Sequence, residues 1–130
     1  MIAIVTTAAG TFGVDLETEE LGPHEGPALA APAPALNLPR VVAAATSGST
    51  VVAVVDAKPP LLVSHDSGTT WRASGRGLPD GRAVALAEAD PDLLVFAGRN
   101  RLYVSRNGGL FWAALSVELP EIESLELREG

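Results

Sequence analysis

A stretch of nine residues recurs 41 residues further along the chain, and this repeat limits the protein to a fold built from similar units. Residues 63–71 read Val-Ser-His-Asp-Ser-Gly-Thr-Thr-Trp, and residues 104–112 read Val-Ser-Arg-Asn-Gly-Gly-Leu-Phe-Trp. The flanks follow the same shift, since Leu78-Pro79 lies over Leu119-Pro120, and a third Leu-Pro stands at 38–39. A period of this size is typical of chains that stack one small unit several times.

Each unit consists of short apolar or β-branched runs separated by Gly, Pro, Asn or Asp, a pattern typical of strands and turns. In the second unit we predict strands at 41–46, 51–56, 61–65 and 70–74. In the third unit we predict them at 83–89, 93–98, 102–106 and 110–116. Four strands in a unit of about 40 residues form the blade of a β-propeller. The sequence therefore predicts an all-β fold, a β-propeller built of four-stranded antiparallel blades.

The two ends of the chain are predicted to be complementary parts of one further blade. Residues 2–14 can be laid over 51–63, which predicts strands at 2–6 and 11–15, and a fourth strand between Pro27 and Leu36. The C-terminal stretch 122–128 supplies the first strand of this blade. The blades are thus 122–130 with 1–37, then 40–76, then 82–118, which makes a single domain with three blades per chain.

Three blades are too few for a closed ring, because propellers typically need about four to eight. An unpaired strand edge is also an aggregation hazard that pairing with a second copy removes. We therefore expect a homodimer by strand exchange at the chain termini, in which each C-terminal strand completes the partner's N-terminal blade. The expected assembly is a six-bladed ring.

The repeated stretch resembles the Asp-box, Ser-x-Asp-x-Gly-x-Thr-Trp, of the sialidase-like or BNR-repeat propellers. The resemblance covers most of residues 40–120, and residues 1–39 share only the strand pattern. The second copy departs from the motif, with Asn107 for Asp and Phe111 for Thr. The structural box residues that the resemblance assigns are Ser64, Asp66, Gly68, Trp71, Ser105, Asn107, Gly109 and Trp112. In the resembling families the box is a folding element away from the active site.

The residue types of the box favour the same structural interpretation. An Asp or Asn at the third position is suited to accept backbone N–H bonds inside the turn, and the Gly supplies a positive φ. The Trp is expected to pack between blades. A hydrolase triad of Ser64, His65 and Asp66 is excluded, because adjacent strand residues point to opposite faces of the sheet.

Composition excludes several classes of protein. The chain has 130 residues and no cysteine, which rules out disulfide scaffolds and cysteine-based metal sites. Nine Lys and Arg stand against sixteen Asp and Glu, so duplex nucleic acid and anionic membranes are not expected partners. Met1 leads directly into Ile-Ala-Ile-Val with no basic segment before it, so we expect a cytoplasmic protein. No cofactor is expected, and clustered carboxylates at Asp15, Glu17, Glu19 and Glu20 are interpreted as a solvated loop with no metal, because their spacing is not that of a calcium loop.

Charge separates between the two ends of the predicted ring. The loops that join blades and the loops between second and third strands share one end, to which we assign six cations and four carboxylates. The other end receives two cations and eleven carboxylates. We expect the first end to bind an anionic partner, an acidic protein surface or a glycan, through the residues Arg40, Arg76, Arg82, Arg99 and Arg101.

The sequence thus predicts a non-enzymatic interaction or scaffold module. Two alternatives stay open. The family resemblance suggests a sialidase-like glycoside hydrolase, whose chemistry uses several arginines and a tyrosine nucleophile, and the only tyrosine here is Tyr103, within a predicted strand. A glycan-binding lectin is the second alternative, although both Trp residues are assigned to the box and few aromatics remain to stack on sugars.

Overall fold

Three four-stranded antiparallel sheets make up the fold in the computed structural model, which describes residues 1–29 and 36–129. Each sheet corresponds to one predicted blade, and we call them blade 1, blade 2 and blade 3. The strands are β1 (Ile2–Thr7), β2 (Gly10–Asp15) and β3 (Leu21–Pro23) with β12 (Ile122–Arg128) in blade 1; β4 (Val41–Ser47), β5 (Thr50–Val55), β6 (Leu61–Ser64) and β7 (Arg72–Ser74) in blade 2; and β8 (Ala83–Leu86), β9 (Leu94–Ala97), β10 (Leu102–Ser105) and β11 (Ala113–Ala114) in blade 3. No helix in the described part of the chain is long and apolar enough to cross a membrane.

The termini do combine into one blade, and within it two details differ from the prediction. The strand order is β12-β1-β2-β3, with Ile2 opposite Arg128 and Thr6 opposite Ser124. In the structure of one chain this pairing joins two strands of the same chain, whereas we predicted that it joins two chains. The 17-residue linker, 24–40, makes this possible, because an extended chain reaches about 3.3 Å or more per residue.

The fourth strand of blade 1 is β3, so its prediction between Pro27 and Leu36 was wrong, and residues 30–35 of that stretch lie outside the described part of the chain. The acidic stretch that we predicted to be a loop is itself the turn before this strand. The Asp15 carboxylate accepts hydrogen bonds from the backbone N–H groups of Glu17 and Thr18, at 2.8 and 3.1 Å. The chain therefore reverses directly after β2, and the fourth strand begins at Leu21.

Blade 3 lies between the other two blades. Its first strand, β8, packs against β4 of blade 2 and against β12 of blade 1. An apolar core that includes Val54, Leu61 and Phe96 fills the space between blades 2 and 3. A second core, with Val5, Val14 and many alanines, fills the space between blades 3 and 1. Blades 1 and 2 consequently each have one face turned away from blade 3.

The first strands of the three blades, β4, β8 and β12, line an open groove of about 720 Å³, which we call the central groove. Loops that precede these strands lie at one end of the groove, and we call it the Arg-bearing end. Hydrogen bonds tie the loops of this end together, as from the Leu119 N–H to the Asn100 carbonyl and from the Ala8 N–H to the Glu121 carbonyl. The predicted grouping of loops at this end is therefore present in the fold.

Candidate binding site at the Arg-bearing end

The box residues of blade 2 form a closed hydrogen-bonded turn. The buried Ser64 hydroxyl donates to the Asp66 carboxylate at 2.7 Å and accepts the Gly68 N–H at 2.8 Å. Asp66 also accepts the backbone N–H and the hydroxyl of Thr70, at 2.8 and 2.6 Å. These bonds, the Thr70 hydroxyl first, lower the pKa of Asp66 from 3.8 to about 2. The carboxylate is therefore held in place by the turn and is not free to act on a ligand.

The box of blade 3 forms the same turn without the charge. Ser105 is buried, its hydroxyl donates to the Asn107 side chain at 3.0 Å and it accepts the Gly109 N–H at 2.9 Å. The Phe111 N–H donates to the Asn107 oxygen at 3.0 Å, and the Phe111 ring is 77% exposed. In blade 2, Ser64 ends strand β6 and His65 follows it, with its Nδ1 3.3 Å from the Thr50 hydroxyl, while the Ser64 hydroxyl donates to Asp66.

Trp112 sits between blades 2 and 3, where its sequence position in the box predicts it. Its Nε1–H donates to the hydroxyl of Ser74 at 3.1 Å, and its ring meets Phe96 edge-on with centroids 6.2 Å apart. The Ser74 hydroxyl in turn donates to the Gly109 carbonyl. Sequence reasoning missed Ser74, because nothing in the repeat marks a small polar residue as the receptor of a Trp from the next blade.

Tyr103 belongs to the same interface between blades. Its ring packs against Phe96 with centroids 5.8 Å apart, and the residue is half-buried in strand β10. A nucleophile of a glycoside hydrolase must reach the sugar from an open cleft, and Tyr103 is placed instead as a packing residue.

The carboxylates of the acidic turn are engaged in contacts of their own. Glu17 pairs with the N-terminal amine at 3.4 Å and with Arg106 at 3.7 Å, and Glu19 accepts the N–H and hydroxyl of Ser116 at 2.6 and 3.0 Å. Backbone N–H groups, of Thr18 first, lower the pKa of Asp15. Within 1–29 and 36–129 no group of three or more His, Cys, Asp or Glu residues is placed to hold a metal ion.

Three of the five predicted binding arginines take part in ion pairs. Arg82 and Arg99 converge on Glu121, at 3.0 and 3.9 Å, and Arg101 pairs with Glu118 at 2.9 Å. Arg101 also donates to the Leu115 carbonyl at 3.0 Å, so it clamps the loop between blades. Arg40 and Arg76 are exposed, and no carboxylate of the described residues lies within 4 Å of either.

The position directly before each first strand carries a charge at the mouth of the central groove. Arg40 precedes β4, Arg82 precedes β8 and Glu121 precedes β12. Sequence reasoning grouped the arginines by loop and assigned Glu121 to this end, but it missed that Glu121 occupies the third equivalent position. Alignment of the three blades on their first strands would have found it.

The central groove below this mouth has both polar and apolar walls, and its apolar part includes exposed side chains. Val42 is 52% exposed and Leu29 is 66% exposed, and both line the groove. Glu88 and Glu126 line its opposite end. The groove therefore runs from a mouth with two arginines, past exposed apolar side chains, to an end with two glutamates, an arrangement suited to an extended ligand with an anionic end.

Comparisons with known proteins support the fold and no more. No protein-family model and no curated protein matches the chain. Among solved structures, the GH74 enzyme of Niastella koreensis is 22% identical with a TM-score of 0.52, over 91% of this chain and 18% of that one. YCF48 bound to D1 peptide is 18% identical with a TM-score of 0.49, over 85% of this chain and 34% of that one. The chain thus spans about a third of one and less than a fifth of the other. The GH74 enzyme is a β-propeller protein, and the three sheets are propeller-like blades.

Proposed function

We propose that the protein is a non-enzymatic binding module whose Arg-bearing end takes an anionic partner, an acidic segment of a protein. The main support for this proposal is that Arg40 and Arg82 occupy equivalent positions, directly before β4 and β8, at the mouth of the groove. Arg99 lies 3.9 Å from Glu121, the residue at the third equivalent position. Arg82 and Arg99 share a single carboxylate, Glu121, so two cations face one anion. An added carboxylate relieves this excess of positive charge.

Exposed apolar side chains in the groove below the mouth favour a polypeptide over a free anion. Val42, on the first strand of blade 2, offers exposed apolar surface within the groove. An acidic residue at the mouth and apolar residues behind it give a segment both the electrostatic and the apolar contacts that a binding site needs.

The test is titration of a fluorescent oligo-glutamate peptide by anisotropy, at low and physiological salt. The double variant Arg40→Ala/Arg99→Ala is expected to bind roughly tenfold more weakly, because exposed charges contribute about 0.2 to 1 kcal/mol each. The matched control is Arg106→Ala/Arg128→Ala, which removes the same charge at the other end of the blades and should change affinity less than twofold. Binding should also weaken as salt rises. Full affinity in the Arg40→Ala/Arg99→Ala variant would overturn the assignment of this end.

The glycan and hydrolase alternatives have their own measurements. Preference for a carboxylated sugar over the peptide in the same titration would make the module a lectin. Cleavage of a fluorogenic sialoside above the buffer rate, lost in Tyr103→Phe, would make it an enzyme. We expect neither, since Tyr103 packs on Phe96 between blades 2 and 3.

A further inference from the structure

The linker 24–40 begins on the face of blade 1 that is turned away from blade 3, where Ala28 and Leu29 contact this blade. The Ala28 N–H donates to the Thr6 hydroxyl at 2.7 Å, and the Leu29 N–H donates to the Glu126 carboxylate at 2.8 Å. Thr6 and Glu126 both lie on this outer face, because strand alternation puts Val5 and Leu125 in the core against blade 3. Ala28 and Leu29 therefore occupy part of the surface on which a fourth blade would stack.

The two other connections between blades are much shorter. Residues 75–82 join blades 2 and 3, and residues 115–121 lead from blade 3 to β12. Both connect blades that are direct neighbours. The linker is about twice as long because it returns from blade 1, on one side of blade 3, to blade 2 on the other.

From this topology we infer that two copies of the chain exchange their N-terminal units, β1 to β3, and close a six-bladed ring. In the exchanged form the N-terminal unit pairs with β12 of the partner and stands directly before blade 2 of its own chain. The linker then joins neighbouring blades, as 75–82 and 115–121 do. Its release uncovers the outer face of the N-terminal unit, which is then free to stack on blade 2.

An indole and a pocket match at the new junction. Trp71 stands 41 residues before Trp112 and directly precedes β7. Arg72, the first residue of β7, reaches Gly108 of blade 3, so continuing the strand alternation by one residue puts Trp71 on the face of blade 2 turned away from blade 3. Blade 1 carries a pocket of about 450 Å³ on its outer face, lined by Ile2, Ile4, Gly13 and Leu21 among others. The lining of this pocket includes the fourth strand of its blade, β3, and the Ser74 hydroxyl that accepts the Trp112 N–H likewise lies on the fourth strand of blade 2, β7.

Charges match at the same junction. Glu121 has Arg82 on the side of its own blade 3, at 3.0 Å. In the exchanged ring its other neighbour at the mouth is Arg40 of the partner subunit, because β4 follows β12 around the ring. Arg40 has no carboxylate within 4 Å among the described residues of a single chain, so ring closure supplies one.

Ring closure also completes the proposed binding site, and this consequence rests on the proposed function. The central groove of one chain is lined by three first strands and is open on one side. In the ring it becomes a channel lined by six, and its mouth carries Arg40, Arg82 and Arg99 from both copies. An acidic segment then contacts arginines of two subunits.

Cysteine pairs test the ring, because the natural chain contains no cysteine. Arg40→Cys/Glu121→Cys, treated with a short bis-maleimide at micromolar protein concentration, should give a covalent dimer on a denaturing gel. The calibrating control is Arg82→Cys/Glu121→Cys, whose native side chains contact each other and which should be linked within one chain. If the control variant is cross-linked and the Arg40→Cys/Glu121→Cys variant stays monomeric, the ring is overturned.

A second pair tests the exchange of strands. Thr6 and Ser124 lie directly opposite each other in β1 and β12, so Thr6→Cys/Ser124→Cys should form a disulfide. Exchange predicts that this disulfide joins two chains, and a disulfide confined to monomers would overturn it. Light scattering on the natural chain should give the mass of a dimer.

The outcomes separate this inference from the proposed function. A monomeric protein that binds oligo-glutamate with the expected dependence on Arg40 and Arg99 overturns the ring and leaves the proposed function standing. A cross-linked ring that fails to bind the peptide supports the exchange and overturns the proposed function.

Discussion

The box turns of blades 2 and 3 have the same backbone hydrogen bonds and different side chains. Both use a buried serine, Ser64 or Ser105, that accepts a glycine N–H four residues later. Asp66 then gathers two bonds from Thr70, whereas Asn107 receives a single backbone bond from Phe111. The turn therefore depends on the serine, the glycine and the side-chain acceptor oxygen of Asp66 or Asn107, and it does not require a negative charge.

The tryptophans that follow the two turns differ more than the turns do. Trp112 donates to the Ser74 hydroxyl of blade 2 and packs edge-on against Phe96 of its own blade 3. Trp71 is on the outer face of blade 2, where the single chain offers no blade on that side. Equal motifs thus have unequal roles, because a blade acquires its neighbours from the ring and not from its own sequence.

Among the substitutions that test this comparison, Trp112→Ala should have the largest effect on stability. We expect a loss of roughly 3 kcal/mol in the free energy of unfolding at every protein concentration, since a packed aromatic is deleted between blades. Trp71→Ala should lower the melting temperature only at concentrations at which the ring forms, because its receptor belongs to the assembled state. Thermal unfolding of both variants across a hundredfold dilution series measures this. Equal, concentration-independent losses would break the comparison.

Loss of the buried serine should come next and should be alike in the two blades. Ser64→Ala and Ser105→Ala each leave a glycine N–H without its acceptor, and each should cost about 1 to 3 kcal/mol in chemical denaturation. Thr69→Ala, at an exposed position of the same turn, is the matched control and should change stability by less than about 0.5 kcal/mol. A serine variant as stable as this control would show that the turn forms without its hydroxyl.

Acid should affect blade 2 more than blade 3. The pKa of Asp66 in the folded state is about 2, below its ordinary 3.8, so its contribution to stability is complete above about pH 4 and is lost as the pH falls towards 2. Asp66→Asn should flatten this limb of the pH–stability curve. Asn107→Asp should make stability fall with acid in blade 3 as well, but less steeply than in blade 2, because Phe111 has no hydroxyl to donate to the new carboxylate. Unchanged acid limbs in both variants would contradict the hydrogen-bonded role of Asp66.

The smallest effect is expected at Phe111, the position at which blade 3 departs from the motif. Phe111→Thr supplies the hydroxyl that Thr70 has in blade 2 and removes a ring that is 77% exposed. Unfolding free energy should move by no more than about 0.5 kcal/mol. A loss above about 1 kcal/mol would indicate that the exposed ring has a packing role, and solution mass measured alongside would show whether it acts between copies.

Strand positions were predictable within one to three residues wherever the repeat was intact. The apolar runs that became β5 and β10 are bounded by turn residues on both sides, so local chemistry decides them. Blade 1 was less predictable, because Asp15 forms a turn that does not resemble the box. The fourth strand consequently lies at Leu21–Pro23, earlier than the pattern suggested.

The arginines illustrate a second limit of the sequence. Their loops placed them correctly at one end, but the ion pairs of Arg82, Arg99 and Arg101 join loops that are distant in sequence. Spacing along the chain does not show which carboxylate a guanidinium will meet across two blades. For this reason only the fold distinguished Arg40 and Arg76 from the paired arginines.

The sequence by itself determined the repeat, the four-strand unit, the box turns and the complementarity of the chain ends, because each follows from residues close in the chain or from an internal period. Only the tertiary structure decided that blade 3 is the middle blade and that Ala28 and Leu29 contact the outer face of blade 1. Strand pairing between chain ends satisfies the same hydrogen bonds within one chain or between two. The choice is therefore set by the reach of the linker and by the faces left to pack, which no local pattern encodes.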